Sequence, residues 1–197
     1  GGNGLFVNAA GTLTILGASN SINTTTGRLV EVVNTALGVG GVTFASMGAS
    51  GTVTGIAVNL SGLSGATFAG GDVTLGNGTA GSNSDGLRLT TSSNNMTFGT
   101  VNMANGTIGD DGVDISSTSG NITIGSLTVA ATLFDGTANH NGIIIAGESG
   151  NVTVSAGNLG IGITGNQIAL DSNATAGTGN ITINANVNKG GVNAIGQ

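Results

Sequence analysis

The chain has 197 residues and a formal net charge of −6, with 39 Gly and neither Pro nor Cys. Its 3 Lys and Arg side chains cannot form the basic surface that nucleic-acid binding requires, so we expect no nucleic-acid partner. No apolar run approaches the roughly 18 residues of a spanning helix, so we expect no direct membrane insertion.

The first recurring element has an apolar residue on either side of one variable residue. This alternation is typical of a short strand with inward and outward side chains. The copies lie at residues 5–7, 30–32, 56–58, 87–89, 113–115, 143–145, 168–170 and 192–194. They recur on average about every 27 residues, a period typical of a solenoid.

The second recurring element is an apolar-Thr-apolar strand that falls between copies of the first. Its copies lie at residues 13–15, 42–44, 66–68 (or 73–75), 96–98, 122–124, 152–154 and 181–183. A third, weaker segment contains Gly-Thr, at residues 51–52, 78–79, 106–107 and 136–137. Together they predict three short strands in each period.

Three strands per period predict an all-β, right-handed parallel β-helix of seven to eight coils, in which stacked coils share one core. A β-sandwich or a set of small tandem β-domains is the alternative. We expect residues 1–197 to form one continuous β-helix segment. We also expect it to be part of a longer chain or a subunit that stacks head to tail, because open strand edges invite further strands.

A Gly-Asn pair precedes the clearest copies of the second strand. We expect Gly and Asn to supply the left-handed backbone of tight corners. We also expect the asparagines to stack from coil to coil and to hydrogen-bond along the axis. The residues in this predicted ladder are Asn95, Asn121, Asn151 and Asn180.

These repeats resemble those of a known group of proteins. The stretches SINTTTGRLVEVVNTALGVGGVTFASMGASGTVTGIAVNLSG, DGLRLTTSSNNMTFGTVNM and DGVDISSTSGNITIGSLTV look like repeats of very large bacterial surface proteins. These are the β-strand-repeat and filamentous-haemagglutinin-like proteins, related in build to autotransporter passengers. The resemblance implies an exported right-handed β-helix that serves as an adhesin, stalk, sheath or fibre, with no common catalytic residues to carry over.

We therefore expect a non-enzymatic structural segment at the cell surface or outside the cell. The expected partners are further copies or a continuation of the same chain, with cell-surface glycans or neighbouring surface proteins as further candidates. A polysaccharide-active enzyme is the weaker alternative, since acids and a base on one face of a β-helix can cleave sugars. For Arg88 and Asp114, outward neighbours on adjacent coils, an ordinary surface ion pair is the expected role.

Four acidic residues are candidate calcium ligands: Asp85, Asp110, Asp111 and Asp114. Stacked carboxylates repel one another unless they are protonated or bridged by a cation, and Ca²⁺ accepts such oxygen donors. The alternative is that they are solvated turn carboxylates and that no cofactor binds. His140, the single histidine, is expected to be a turn residue without a partner for metal or nucleophile chemistry.

The outward threonines of the second strand are the most regular surface feature. They are Thr14, Thr43, Thr97, Thr123, Thr153 and Thr182. Such a column is a candidate surface for ice, for another ligand or for a second rod. The alternative is that Thr is simply a good exposed strand residue.

Overall fold

The computed structural model describes residues 2–103, 105–129, 140–160, 168–171, 177–187 and 195–196. All regular structure in these residues is β-strand, and every strand pairing is parallel. The chain is a parallel β-solenoid whose turns are spaced about 26 residues apart. The predicted parallel β-helix is confirmed.

The first wall of the solenoid is an 8-stranded sheet with one strand from each successive winding. Its strands are Leu5–Asn8, Val30–Val33, Val58–Ser61, Leu87–Thr90, Val113–Ser116, Ile143–Ala146, Ile168–Asp171 and Ile195–Gly196. Buried and half-buried positions alternate along these strands. The apolar residues on either side of each central residue therefore point inward.

A 12-stranded sheet forms the second and third walls. Its strands are Thr12–Ile15, Ser21–Thr24, Ala36–Thr43, Ser46–Ala49, Ser64–Gly65, Phe68–Leu75, Met96–Met103, Ile122–Val129, Val152–Val154, Gly157–Leu159, Ile181–Ile183 and Asn186–Val187. In Met96–Met103 and Ile122–Val129, two successive residues point outward in mid-strand, at 99–100 and 125–126. The strand bends there, so its first half lies in the second wall and its second half in the third.

The predicted third segment does not form the third wall. The Gly-Thr segments contribute instead to a 2-stranded sheet of Val53–Thr54 and Thr79–Ala80, and to a bridge between Gly78 and Thr107. They lie on the return from the third wall to the first. Residues 136–137 lie outside the described part of the chain.

The core is one apolar column that runs along the axis. Val30, Leu60, Leu87 and Ile115 have no exposed surface, as expected for side chains covered by the coils on either side. Three phenylalanine rings stack within it, with centroids 6.1 Å apart between Phe44 and Phe68 and 6.2 Å apart between Phe68 and Phe98.

The prediction of the third first-wall strand at residues 56–58 is wrong. The strand is Val58–Ser61, because Val58 and Leu60 pair with Val30 and Val32 and point inward like them. Asn59 therefore lies on the outer surface between Glu31 and Arg88. Residues 192–194 lie outside the described part of the chain, and the strand paired with Ile168 is Ile195–Gly196.

In the second wall, the strand predicted at residues 66–68 or 73–75 also differs from both positions. Phe68 pairs with Val42 and with Met96, so Ala69 rather than a threonine occupies the outward position. Thr67 precedes this strand, and Thr74 pairs with Asn102 in the third wall.

A left-handed residue recurs at the end of the first wall, and none lies at the Gly-Asn pairs of the asparagine ladder. One residue with positive φ follows each of six successive first-wall strands: Ala9, Asn34, Gly62, Thr91, Ser117 and Gly147. The N–H of Thr91, for example, donates to the carbonyl of Ser116 one coil along (3.0 Å). The stacked corner imposes this φ on whichever residue stands there, which is why the sequence did not reveal it.

Glycine precedes three of the four ladder asparagines because the coils approach closely there. A Cβ added to Gly150 would overlap the carbonyl oxygen of Gly120, and one added to Gly179 would overlap that of Gly150. None of these three glycines has a positive φ. The predicted left-handed role of this Gly is therefore wrong, and the requirement is for space.

The predicted asparagine ladder is confirmed, but the donor that recurs from coil to coil is the backbone N–H of the next asparagine and not its side chain. Asn95 Oδ1 accepts the backbone N–H of Asn121 (2.9 Å), and Asn121 Oδ1 accepts that of Asn151 (2.9 Å). Asn151 Oδ1 in turn accepts the N–H of Asn180 (3.0 Å). Each side chain thus binds the backbone of the next coil and fixes its register.

Candidate functional site: an acidic corner

Most of the described titratable side chains gather where the chain enters the first wall. Asp85, Asp111 and Asn141 occupy equivalent positions on three successive coils, each followed by Gly and then by a first-wall strand. Asp85 Oδ1 accepts the backbone N–H of Asp111 (3.0 Å), and Asp111 Oδ1 accepts that of Asn141 (2.5 Å). This second ladder has the geometry of the asparagine ladder, but two of its members are carboxylic acids.

Arg88 lies over this ladder and contacts two carboxylates. Its Nε is 2.6 Å from Asp85 Oδ2 and 3.5 Å from Asp114 Oδ2. The predicted neighbourhood of Arg88 and Asp114 is confirmed, since these residues pair in register. Sequence reasoning missed the shorter contact with Asp85. A usable signal was that Asp85 lies three residues before Arg88 in the chain.

His140 belongs to the same corner. Its Nδ1 lies 3.0 Å from Asp110 Oδ1, on a coil that is 30 residues away in sequence. His140 lies outside the strands, as expected of a turn residue, and its contact with Asp110 was not foreseen. Sequence reasoning missed the contact, although the predicted strands at 113–115 and 143–145 already place His140 one coil beyond Asp110.

Burial raises the pKa of these carboxyl groups. Desolvation raises the pKa of Asp85 to about 6 against the opposing effect of Arg88, and it raises the pKa of Asp111 to about 7 against hydrogen bonds from Asn141. Desolvation also raises the pKa of Asp114. Asp85 is 1% exposed, so the alternative of a solvated turn carboxylate is wrong for this residue.

Three of the four predicted calcium ligands come together. One carboxylate oxygen from each of Asp85, Asp110 and Asp111 lies within 4.8 Å of the others, whereas Asp114 is outside this group. Oxygen donors at such separations suit Ca²⁺. However, Asp85 already accepts hydrogen bonds with both oxygens, from Arg88 and from the N–H of Asp111. A bound cation would have to displace these contacts, and calcium binding stays a prediction.

One more buried acid was missed by sequence reasoning. Glu148 is 3% exposed and lies just after the left-handed corner of its coil. Its carboxylate accepts the backbone N–H of Thr118 (3.1 Å) and also the Thr118 hydroxyl. Burial raises its pKa, and the bonds from Thr118 oppose this rise.

The threonine column is regular over only part of its predicted length. Thr97, Thr123, Thr153 and Thr182 stack in register on the second wall. Ala69 interrupts the column between Thr43 and Thr97. Thr14 is not in register with Thr43, because Ile15 pairs with Val42 across an insertion in the neighbouring strand.

No family model, curated protein or solved structure matches the chain. The described residues form no helix of the length and hydrophobicity that a bilayer crossing requires.

Proposed function

We propose that this chain is a non-enzymatic structural segment of an extracellular bacterial surface protein or fibre. In this role it would serve as part of an adhesin, stalk, sheath or filament, in contact with further solenoid of the same kind. The resemblance of its repeats to filamentous-haemagglutinin-like proteins supports the proposal, together with a solenoid core that continues from coil to coil.

The observation that carries the proposal is that buried and half-buried acids bind the backbone of neighbouring coils. Asp85, Asp111 and Glu148 each accept a backbone N–H from an adjacent coil. Acids of a polysaccharide-cleaving site would instead lie in a cleft with room for a sugar between them. In this chain, the carboxylates that could take part in catalysis hold neighbouring coils in register instead. Such coil-to-coil contacts suit a stalk or fibre.

The test is to locate the chain on the cell that produces it. An antibody raised against the purified segment should label intact, unpermeabilised cells, and electron micrographs should show the label on a filament, layer or stalk. Label that appears only after permeabilisation would contradict the proposal. So would turnover of acidic or neutral polysaccharides by the purified chain that is lost in Asp114→Asn.

Ice binding is the second candidate, favoured by the four in-register threonines of the second wall. A thermal-hysteresis assay tests it directly, with Thr123→Val and Thr128→Val as a matched pair. Ice binding through the column predicts that only the first substitution reduces hysteresis, because Thr128 lies on the third wall. Absence of hysteresis in the unmodified chain would eliminate this candidate.

A further inference from the structure

Two grooves lie side by side where the third wall turns back toward the first. The first groove has a volume of about 520 Å³ and is bordered by Asn23, Gly48, Ser50 and Thr74. The groove forms at Gly48, which lies between Asn23 and Thr74 in a column of outward-facing residues on the third wall. A missing side chain in a column of larger residues leaves a depression.

The second groove has a volume of about 470 Å³ and is bordered by Thr52, Asn77, Ser82 and Thr107, among others. The grooves are neighbours, because Asn77 at the border of the second groove donates through Nδ2 to the carbonyl of Ser50 at the border of the first (3.2 Å). We refer to the two grooves together as the furrow. Each groove lies in the range of about 300–1,000 Å³ that is usual for small-ligand sites.

The described lining of the furrow combines uncharged polar side chains with apolar surface. Among the residues that the structure describes, no charged and no aromatic side chain borders either groove. Five of its exposed side chains carry a hydroxyl or amide group that makes no hydrogen bond within the described part of the protein. They are Asn23, Ser50, Thr74, Ser82 and Thr107.

This lining selects the chemistry of a ligand. A charged group that entered the furrow would lose hydration without meeting a counter-charge, which is unfavourable. An apolar ligand would leave the hydroxyl and amide groups of the lining without partners. A ligand rich in hydroxyl groups can satisfy them, as donor and as acceptor. We propose that the furrow binds a neutral oligosaccharide that lies along both grooves.

The proposal goes beyond a structural role and does not depend on it, since the grooves are present whatever the segment is attached to. The chain has no Trp or Tyr, so binding rests on hydrogen bonds rather than on stacking against these rings. Weak binding by one segment becomes useful when many segments are displayed together.

A substitution at Gly48 can fill the first groove of the furrow without disturbing the fold. An added Cβ would lie 3.4 Å from Asn23 Oδ1 and 3.8 Å from the carbonyl oxygen of Thr74, both ordinary contacts. Its φ is not positive, and Val is favoured in strands. Gly48→Val should therefore fold normally while its side chain occupies the first groove.

The experiment is a titration of the ¹⁵N-labelled chain, followed by NMR, with neutral hexose and N-acetylhexosamine oligosaccharides and with acidic uronate oligosaccharides. We expect shifts confined to amides of the furrow, and only with neutral sugars. Gly48→Val should weaken binding by about ten-fold or more, and Thr107→Val by roughly three- to ten-fold, the value of one hydrogen bond. Thr123→Val, the same change on the second wall, should leave binding unchanged.

Several results would overturn the proposal. They are absence of binding by every neutral sugar at millimolar concentration, equal or tighter binding of the uronates, and shifts centred on the second wall. Binding that survives both Gly48→Val and Thr107→Val would do the same. If Gly48→Val does not fold, Thr107→Val decides alone, because Thr107 is exposed. Self-association that Gly48→Val abolishes would assign the furrow to a second copy instead.

Discussion

Replacing Asp111 with Asn should stabilise the protein at neutral and alkaline pH. The substitution removes a half-buried charge but keeps the Oδ1 atom that accepts the N–H of Asn141. The asparagine ladder, which lies just before the second wall, shows that an amide oxygen can accept the backbone N–H of the next coil. The gain should therefore come from the desolvation of the carboxylate, with the coil-to-coil hydrogen bond retained.

The magnitude follows from the pKa of Asp111, which burial raises from 3.8 to about 7. A shift of one pKa unit corresponds to about 1.36 kcal/mol, so the ionised carboxylate destabilises the folded state by about 4 kcal/mol. Asp111 keeps some solvent contact, and we expect about 2–4 kcal/mol for Asp111→Asn at pH 8.

The pH dependence has a definite sign. Because the folded pKa lies above the unfolded value, folding takes up a proton between about pH 4 and pH 7. The contribution of Asp111 to stability is therefore highest below about pH 4, falls as the pH rises through 7 and is constant above. The advantage of Asp111→Asn should be near zero at pH 4 and complete at pH 8.

Urea unfolding of both proteins from pH 4 to pH 8 measures this difference. Asp72→Asn is the matched control, because it removes the same charge from an exposed carboxylate on a different wall. It should change the free energy of unfolding by less than about 1 kcal/mol. The reasoning is refuted if Asp111→Asn is no more stable than the unmodified protein at pH 8, or if the difference between them is the same at every pH.

Three further substitutions test the corners by urea unfolding. Gly150→Ala should destabilise by about 3 kcal/mol or more, because the new Cβ overlaps the backbone of Gly120. Thr91→Gly should stabilise by about 0.5–1 kcal/mol, because Thr91 has φ 49° and a left-handed non-glycine residue is strained by roughly 1–2 kcal/mol. Asn121→Ala should destabilise by about 1 kcal/mol and speed hydrogen exchange at the amide of Asn151, which loses its acceptor.

Each of these substitutions has a control with the same chemical change. Gly11→Ala meets no atom within 4 Å and should be neutral. Thr128→Gly, in a strand, should destabilise where Thr91→Gly stabilises. Asn158→Ala removes an exposed amide outside the ladder and should be neutral. A variant that behaves like its control would contradict the contact assigned to it.

The candidate site was only partly accessible from the sequence. The cluster of Asp110, Asp111 and Asp85 followed from the coil spacing, because equivalent residues on adjacent coils lie about 4.8 Å apart. The contact of His140 with Asp110 was missed, although both residues stand three positions before successive first-wall strands. The burial of Asp85 was also unforeseen, because burial depends on the coils above and below and not on local pattern.

The sequence by itself determined that the chain winds into a parallel β-helix, which apolar positions form its core and which asparagines stack. These properties follow from a local pattern repeated at nearly constant spacing, because stacking places equivalent residues side by side. The tertiary structure alone decided the register where coils differ in length, as at Val58–Ser61 and around Thr14. It also decided which residues take the left-handed corner and which acids are buried, since both depend on contacts between coils that no single coil encodes.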